Sequence, residues 1–155
     1  MDILFSFILP AYKADFLDSS ISSILSQDYK NFELVIVNDA SPQDIDSIVN
    51  KYDDSRITYH INSENIGGRS LVEQWNKCVN YAKGDYVILA SDDDMYATDF
   101  LSTMVKLINT YPYYNVYGCR KQIINSSGNI VDVDGFLGED MSFLEFSNSL
   151  FLGVL

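Results

Sequence analysis

The chain has 155 residues, 47% of them apolar and 14% aromatic, which fits one globular domain with a sizeable core and excludes a disordered chain. Its formal charge of −12 argues against nucleic acid or an anionic membrane as a partner held by a broad basic face. A phosphorylated ligand stays possible, because a bound metal and backbone N–H groups can create a local positive site. No stretch approaches the roughly 20 apolar residues that span a bilayer, and the amino terminus, with Asp2 and a short apolar run, does not read as a signal peptide. Cys78 and Cys119 fit no metal or redox spacing and read as buried free thiols of a reducing compartment. His60 stands alone and reads as a structural or surface histidine, not a ligand. A cytoplasmic location is expected.

In chain order, Ile3 to Leu9 is an apolar run ending at Pro10, the pattern of a strand buried on both faces. Asp15 is placed to cap a helix whose Leu17, Ile21, Ile24 and Leu25 share one side, with Asp18 in its first turn. Phe32 to Val37 reads as a second strand. Ser41-Pro42 is a helix start, followed by the stripe Ile45, Ile48, Val49 and Tyr52. Ile57 to Ile61 reads as a third strand. Gly67-Gly68 then precedes a third helix with Leu71, Val72, Trp75, Cys78, Val79 and Ala82 at 3.6-residue spacing and Gly84 as its terminator.

Tyr86 to Ala90 is a fourth, buried strand, and Thr98 to Thr110 a helix stopped before Pro112. This alternation predicts an α/β fold, a doubly wound and mostly parallel sheet covered on both faces. After Pro112, Val116 to Ile124, a turn at Asn125 to Asn129 and Ile130 to Val133 read as a hairpin. Acidic residues then accumulate and 143–155 is largely apolar, which suggests a piece of a longer protein. The division expected within the single domain 1–155 is 1–111 followed by 112–155.

Right-handed crossovers gather the loops after the strands on one carboxyl edge, where open α/β sheets bind ligands. That edge collects Pro10, Ala11 and Tyr12; Asn38, Asp39 and Ser41; and the run Asp92, Asp93, Asp94. Adjacent carboxylates repel by about 1 kcal/mol per pair in water and more near a protein surface, so three in a row call for a cation. Mg²⁺ or Mn²⁺, shared with a ligand's phosphates, is the expected one. A solvated acidic turn is the plain alternative. An EF-hand calcium loop is not, since the alternating ligands, central glycine and distal glutamate are missing. An aromatic, an isolated carboxylate and a carboxylate cluster suit a base, its N–H edge and a metal-bound diphosphate. Asp39, as an acceptor, fits the N3–H of uracil better than a phosphate. Gly67 and Gly68, flanked by Asn65 and Arg69, open a helix whose N–H groups can receive an anion.

Ile8-Leu-Pro-Ala-Tyr12, Gln27, Phe32 to Ser41, Asn65-Ile-Gly67, Asn76, Ala82-Lys-Gly-Asp-Tyr86 and Ser91-Asp-Asp-Asp94 occur in an order and register that resembles the nucleotide-sugar-binding half of family 2 glycosyltransferases with the A-type fold. The match covers roughly residues 4 to 110. The resemblance implies that Pro10, Ala11 and Tyr12 line a nucleoside pocket and that Asn38 and Asp39 contact the base. It implies that Gly67 and Arg69 reach the nucleotide or its phosphates. Asp92 to Asp94 resembles the family's Asp-x-Asp motif, with Asp92 and Asp93 towards the donor nucleotide and Asp92 and Asp94 on a divalent metal. The pair Asp93 and Asp94 is the other register, and Asp94 belongs to both. Asn38 departs from the more frequent aspartate there.

The implied reaction is metal-dependent, inverting transfer from a nucleotide-diphosphate sugar, with uridine the expected nucleoside, to a saccharide or lipid-linked acceptor in polysaccharide biosynthesis. The general base of such relatives lies downstream in the acceptor half; Glu139 and Asp140 are weak candidates and read better as helix caps. The expectation is a chain that binds donor and transfers poorly. The resemblance also leaves open peripheral attachment to the inner face of the membrane through a segment beyond Leu155. Two other readings remain: a non-catalytic nucleotide-binding or interaction module, and a sugar-phosphate nucleotidyltransferase, which usually opens with a Gly-rich basic loop unlike Pro10-Ala-Tyr-Lys13.

Overall fold

The computed structural model describes residues 2–133. The chain divides after Pro112 into two compact units. The first is built in the order β1 (Phe5–Ala11), α1 (Leu17–Leu25), β2 (Phe32–Asn38), α2 (Ile45–Val49), β3 (Ile57–Ile61), α3 (Leu71–Val79), β4 (Tyr86–Leu89) and α4 (Phe100–Thr110). Its four strands are all parallel, in the order β3-β2-β1-β4. Chain progress runs outward from β1 to β2 to β3, then returns to the other side of β1. With right-handed crossovers, α1 and α2 share one face and α3 takes the other. The phenol of Tyr52, just past α2, donates to the Asp18 carbonyl of α1 at 2.9 Å, as neighbours on one face should. The order reverses at β1, so the crevice at its carboxyl end is where this topology accepts ligands.

The core follows from strand position. β1 and β2, the central pair, are buried almost throughout, with Phe7, Ile8, Leu9, Leu34, Ile36 and Val37 inaccessible to solvent. Phe7 meets Phe32 and Tyr96 edge to face, at centroid distances of 5.9 and 5.0 Å. β4 differs from the sequence expectation of a buried strand. It lies at the sheet edge among the described residues, with Val87 and Leu89 exposed. A short apolar run does not reveal whether a neighbour covers it.

Helix boundaries differ in instructive ways. Asp15 does not cap α1; the preceding residue is Phe16, with no side-chain cap. Nor does α2 begin at Ser41-Pro42. Asp44 is its cap, accepting from the Ser47 N–H at 3.0 Å, while Ser41 serves the loop before it. α3 does present a 3.6-residue stripe, but the stripe of Leu71, Val72, Trp75 and Val79 is exposed, and Gln74 and Cys78 face inward. Periodicity fixes that a helix forms, not which side the sheet covers. Cys78 is buried, and burial, with Asp39's charge adding, pushes its thiol up to about 12. Cys119, expected to be buried, is exposed. His60 stacks on Tyr81 at 3.9 Å between centroids, the structural one of the two roles expected for it.

Gly84 does not terminate α3, which ends at Val79. Its function is close approach. The Gly84 N–H donates to Ser6 Oγ at 2.8 Å, and Ser6 Oγ donates to Glu33 Oε1 at 2.6 Å, tying the entry of β4 to β1 and β2. A Cβ on Gly84 would stand 2.7 Å from the Leu4 carbonyl oxygen and 2.8 Å from the Ser6 nitrogen, both backbone atoms. Gly84→Ala is therefore expected to destabilise the fold by about 3 kcal/mol in urea unfolding, the upper range for overpacking. A change below about 0.5 kcal/mol, the level of an ordinary surface substitution, would contradict this packing.

In the second unit, β5 (Gln122–Ile124) and β6 (Ile130–Val133) form an antiparallel hairpin closed by a turn with Gly128 at φ 78°. Its first strand is shorter than the sequence suggested.

Candidate functional site

β1, β2 and β4 end side by side. Ala11 pairs with Asn38, and the N–H of Ala90 donates to the Ile8 carbonyl at 2.8 Å. The loops leaving the three strands are thus neighbours, and residues 11–13 are held from both sides. From the β2 side, the Asp39 N–H donates to the Ala11 carbonyl at 3.0 Å and Ser41 Oγ to the Tyr12 carbonyl at 2.5 Å. From the β4 side, Asp92 Oδ2 accepts the N–H groups of Tyr12 and Lys13 at 2.8 and 2.7 Å. The Asp39 loop and the aspartate run therefore flank one three-residue backbone segment.

Asp39 is 4% exposed and engaged on both oxygens. Oδ1 accepts from Asn62 Nδ2 at 2.7 Å and the Ile66 N–H at 2.9 Å; Oδ2 accepts from the Gly67 N–H at 2.7 Å. A carboxylate offers about four acceptor positions, so three are filled and about one is left. A Cβ on Gly67 would lie 2.9 Å from Asp39 Oδ2, so a larger residue here would have to displace that carboxylate. Asn62 also donates to Gln74 Oε1 at 2.8 Å, and Gln74, at 2% exposure, extends this buried polar group. Neither Asn62 nor Gln74 emerges from sequence reasoning. Their one signal is a polar side chain at a position whose burial only the fold reveals.

The Asn38 side chain is buried and engaged at both of its polar atoms. It donates to the Tyr59 hydroxyl at 3.1 Å and accepts from the Ser41 N–H at 2.9 Å. Between them Ala40 sits at φ 50°, the single non-glycine residue with positive φ among those described. Such a conformation costs about 1 kcal/mol or more, and strain of this kind gathers at functional loops. Tyr12 is half exposed at this edge. Arg69 is drawn to Glu64 at 3.0 Å in an ion pair exposed on both sides, a contact worth little in water.

The three aspartates have different surroundings. Asp92 is 9% exposed and its Oδ2 is committed to backbone. Asp93 is exposed and accepts from Ser91 Oγ. Asp94 is exposed and makes no hydrogen bond or ion pair among the described residues. No three His, Cys, Asp or Glu side chains converge as a ready metal cage among those residues. Magnesium-like ions need fewer protein ligands, one or two carboxylates completed by phosphate oxygens and water, and Asp94 beside Asp93 fits that donor set. Glu139 and Asp140 lie outside the described residues.

A twisted parallel sheet with its polar loops at the switch point of β1 is the architecture of the A-type glycosyltransferases. Glycosyl transferase family 2 matches residues 6–153, and the chain belongs to that family. It is 34% identical over 119 residues to UDP-Glc:alpha-D-GlcNAc-diphosphoundecaprenol beta-1,3-glucosyltransferase WfaP of Escherichia coli, covering 74% of this chain and 46% of the relative. It resembles the structure of S. aureus TarS 1-349 in complex with UDP, with TM-score 0.65 and 25% identity, over 71% of this chain and 33% of that one. It also resembles the mannosyltransferase PcManGT of Pyrobaculum calidifontis in complex with GDP-Man and Mn²⁺, with TM-score 0.59 and 25% identity, over 68% of this chain and 32% of the other. The chain spans less than half the length of each of these relatives.

Proposed function

We propose that this chain is the donor-binding part of a metal-dependent, inverting glycosyltransferase that uses a uridine diphosphate sugar. Membership of the family supports sugar transfer, and the transfer itself, the donor, the metal and the stereochemistry all belong to this proposal. The observation that carries it is the bracing of residues 11–13 between the Asp39 loop and Asp92. That arrangement supports one cleft with a nucleoside end and a diphosphate end, and makes an unrelated acidic turn a poor reading.

In this reading Tyr12, with Pro10 and Ala11, lines the nucleoside pocket. The remaining acceptor position of Asp39 receives the N3–H of uracil, while its other bonds keep the 66–67 loop against the pocket. Asp94, with Asp93, would hold a Mg²⁺ or Mn²⁺ ion against the diphosphate. When bound, such an ion neutralises charge on the leaving group. Asp92 secures the loop at the backbone of Tyr12 and Lys13. Arg69 reaches the phosphates only by leaving Glu64, a small cost for an exposed pair. Residues 1–111 serve the donor and 112–155 open the acceptor side. A general base from the acceptor side would take the proton of the attacking hydroxyl. WfaP is named for a diphosphoundecaprenol acceptor, which supports a saccharide or lipid-linked acceptor here. Among the described residues no helix is long and apolar enough to cross a membrane.

Calorimetry with UDP, with and without Mn²⁺, tests the reading. Binding strengthened at least about tenfold by Mn²⁺, or about 1.4 kcal/mol, is expected. Metal-independent binding, or none, would favour the non-catalytic module instead.

A further inference from the structure

α1 and the turn that follows it carry a row of buried polar side chains. Ser20 in the helix and Gln27 just past its end are inaccessible to solvent and Ser23 nearly so, although Ile21 and Ile24 of the helix pack in the usual apolar way. Burying a hydroxyl or amide costs about 1–3 kcal/mol if it finds no partner, and an apolar residue at each position would avoid that cost. All three have partners in one distant segment. Ser20 Oγ donates to the Ser91 carbonyl at 2.9 Å. The Tyr96 N–H donates to Ser23 Oγ at 3.1 Å. Gln27 Nε2 donates to the Ala97 carbonyl at 2.8 Å, and its Oε1 accepts the Leu101 N–H at 3.0 Å. The segment between β4 and α4 has no ladder of its own, so these side chains supply partners to its backbone groups.

The spacing has a geometric result. Ser20 and Ser23 are three residues apart on the helix, a rise of about 4.5 Å. Their partners, Ser91 and Tyr96, are five residues apart in a segment that would reach roughly 17 Å if extended. Pinning both ends to one helical turn makes the intervening residues loop outward, and Asp93, Asp94 and Met95 are all exposed. Asp92 is drawn back onto the Tyr12 and Lys13 backbone.

We propose that Ser20 and Ser23, backed by Gln27, are positioning residues: two hydroxyls on one helix set how far the Asp93-Asp94 pair projects, and so how well it holds a divalent cation. This rests on the donor-site reading above, but concerns residues that touch neither nucleotide nor metal.

The test uses the full chain with both serines replaced, Ser20→Ala and Ser23→Ala. Alanine removes only the hydroxyls and is the best helix former, so α1 is retained. The exposed serines of the same helix, Ser19 and Ser22, changed to alanine together, are the control. The expected result is an apparent Mn²⁺ affinity in the presence of UDP weakened about 10- to 100-fold, the usual effect of losing groups behind metal ligands. Metal-free UDP affinity should change by less than about twofold, a shift of roughly 0.4 kcal/mol, and the control variant should match the unchanged chain. Equal losses of metal-free and Mn²⁺-dependent binding, or Mn²⁺ affinity equal to that of the control, would overturn the proposal alone. Absence of any Mn²⁺ effect in the unchanged chain would overturn it together with the donor-site reading.

Discussion

Asp94→Ala is expected to abolish the Mn²⁺-dependent part of UDP binding while leaving the fold as stable as before. Asp94 is exposed and makes no hydrogen bond among the described residues, so its removal strands no partner. It also relieves repulsion from its acidic neighbours, worth about 1 kcal/mol per pair in water. The melting temperature should therefore hold or rise slightly. A missing ligand should remove the Mn²⁺ enhancement, so UDP binding in Mn²⁺ should fall by at least about tenfold, to the metal-free level. The contrast with Asp92 sharpens the reading. Asp92→Ala removes an acceptor from two backbone N–H groups and should lower stability first. An Asp94→Ala chain that still binds UDP more tightly with Mn²⁺ would refute the assignment of the metal to Asp94.

Asp39→Ala should be the most damaging single change at the site for stability. It leaves the Asn62 amide and the Ile66 and Gly67 N–H groups without their shared acceptor. Each stranded buried donor costs about 1–3 kcal/mol, and partial access of water to residues 66 and 67 brings the expected total to about 3–4 kcal/mol. Asparagine is a poor substitute, because its NH₂ would confront donors on one side or the other. Urea unfolding of the alanine and asparagine variants measures both. Stability of Asp39→Asn within about 0.5 kcal/mol of the unchanged chain would show that the carboxylate does not brace the loop.

Gly84 and Gln27 show how sequence motifs can be right in place and wrong in reason. Gly84 reads as a helix terminator, yet its need is a contact with Leu4 and Ser6 some 80 positions earlier. Gln27 counts as one more matching residue in the sequence, while in the fold it ties α1 to the start of α4. Both depend on partners that no local pattern can contain.

What the sequence by itself determined was the alternation of apolar runs and 3.6-residue stripes, and with it the parallel sheet, the carboxyl edge and the candidates gathered there. Those follow from short-range rules, because strand and helix periods are written in adjacent residues. Tertiary structure alone decided how the oxygens of each candidate are engaged. Asp92 and Asp94 look alike in the chain, but only one meets the Tyr12 and Lys13 N–H groups 80 and 79 residues away. It also decided that the stripe of α3 faces outward, that Asn62 and Gln74 stand behind Asp39, and that two serines of α1 hold the acidic loop. Burial and hydrogen-bond partnership are properties of contacts between distant segments, and they exist only once the chain has closed on itself.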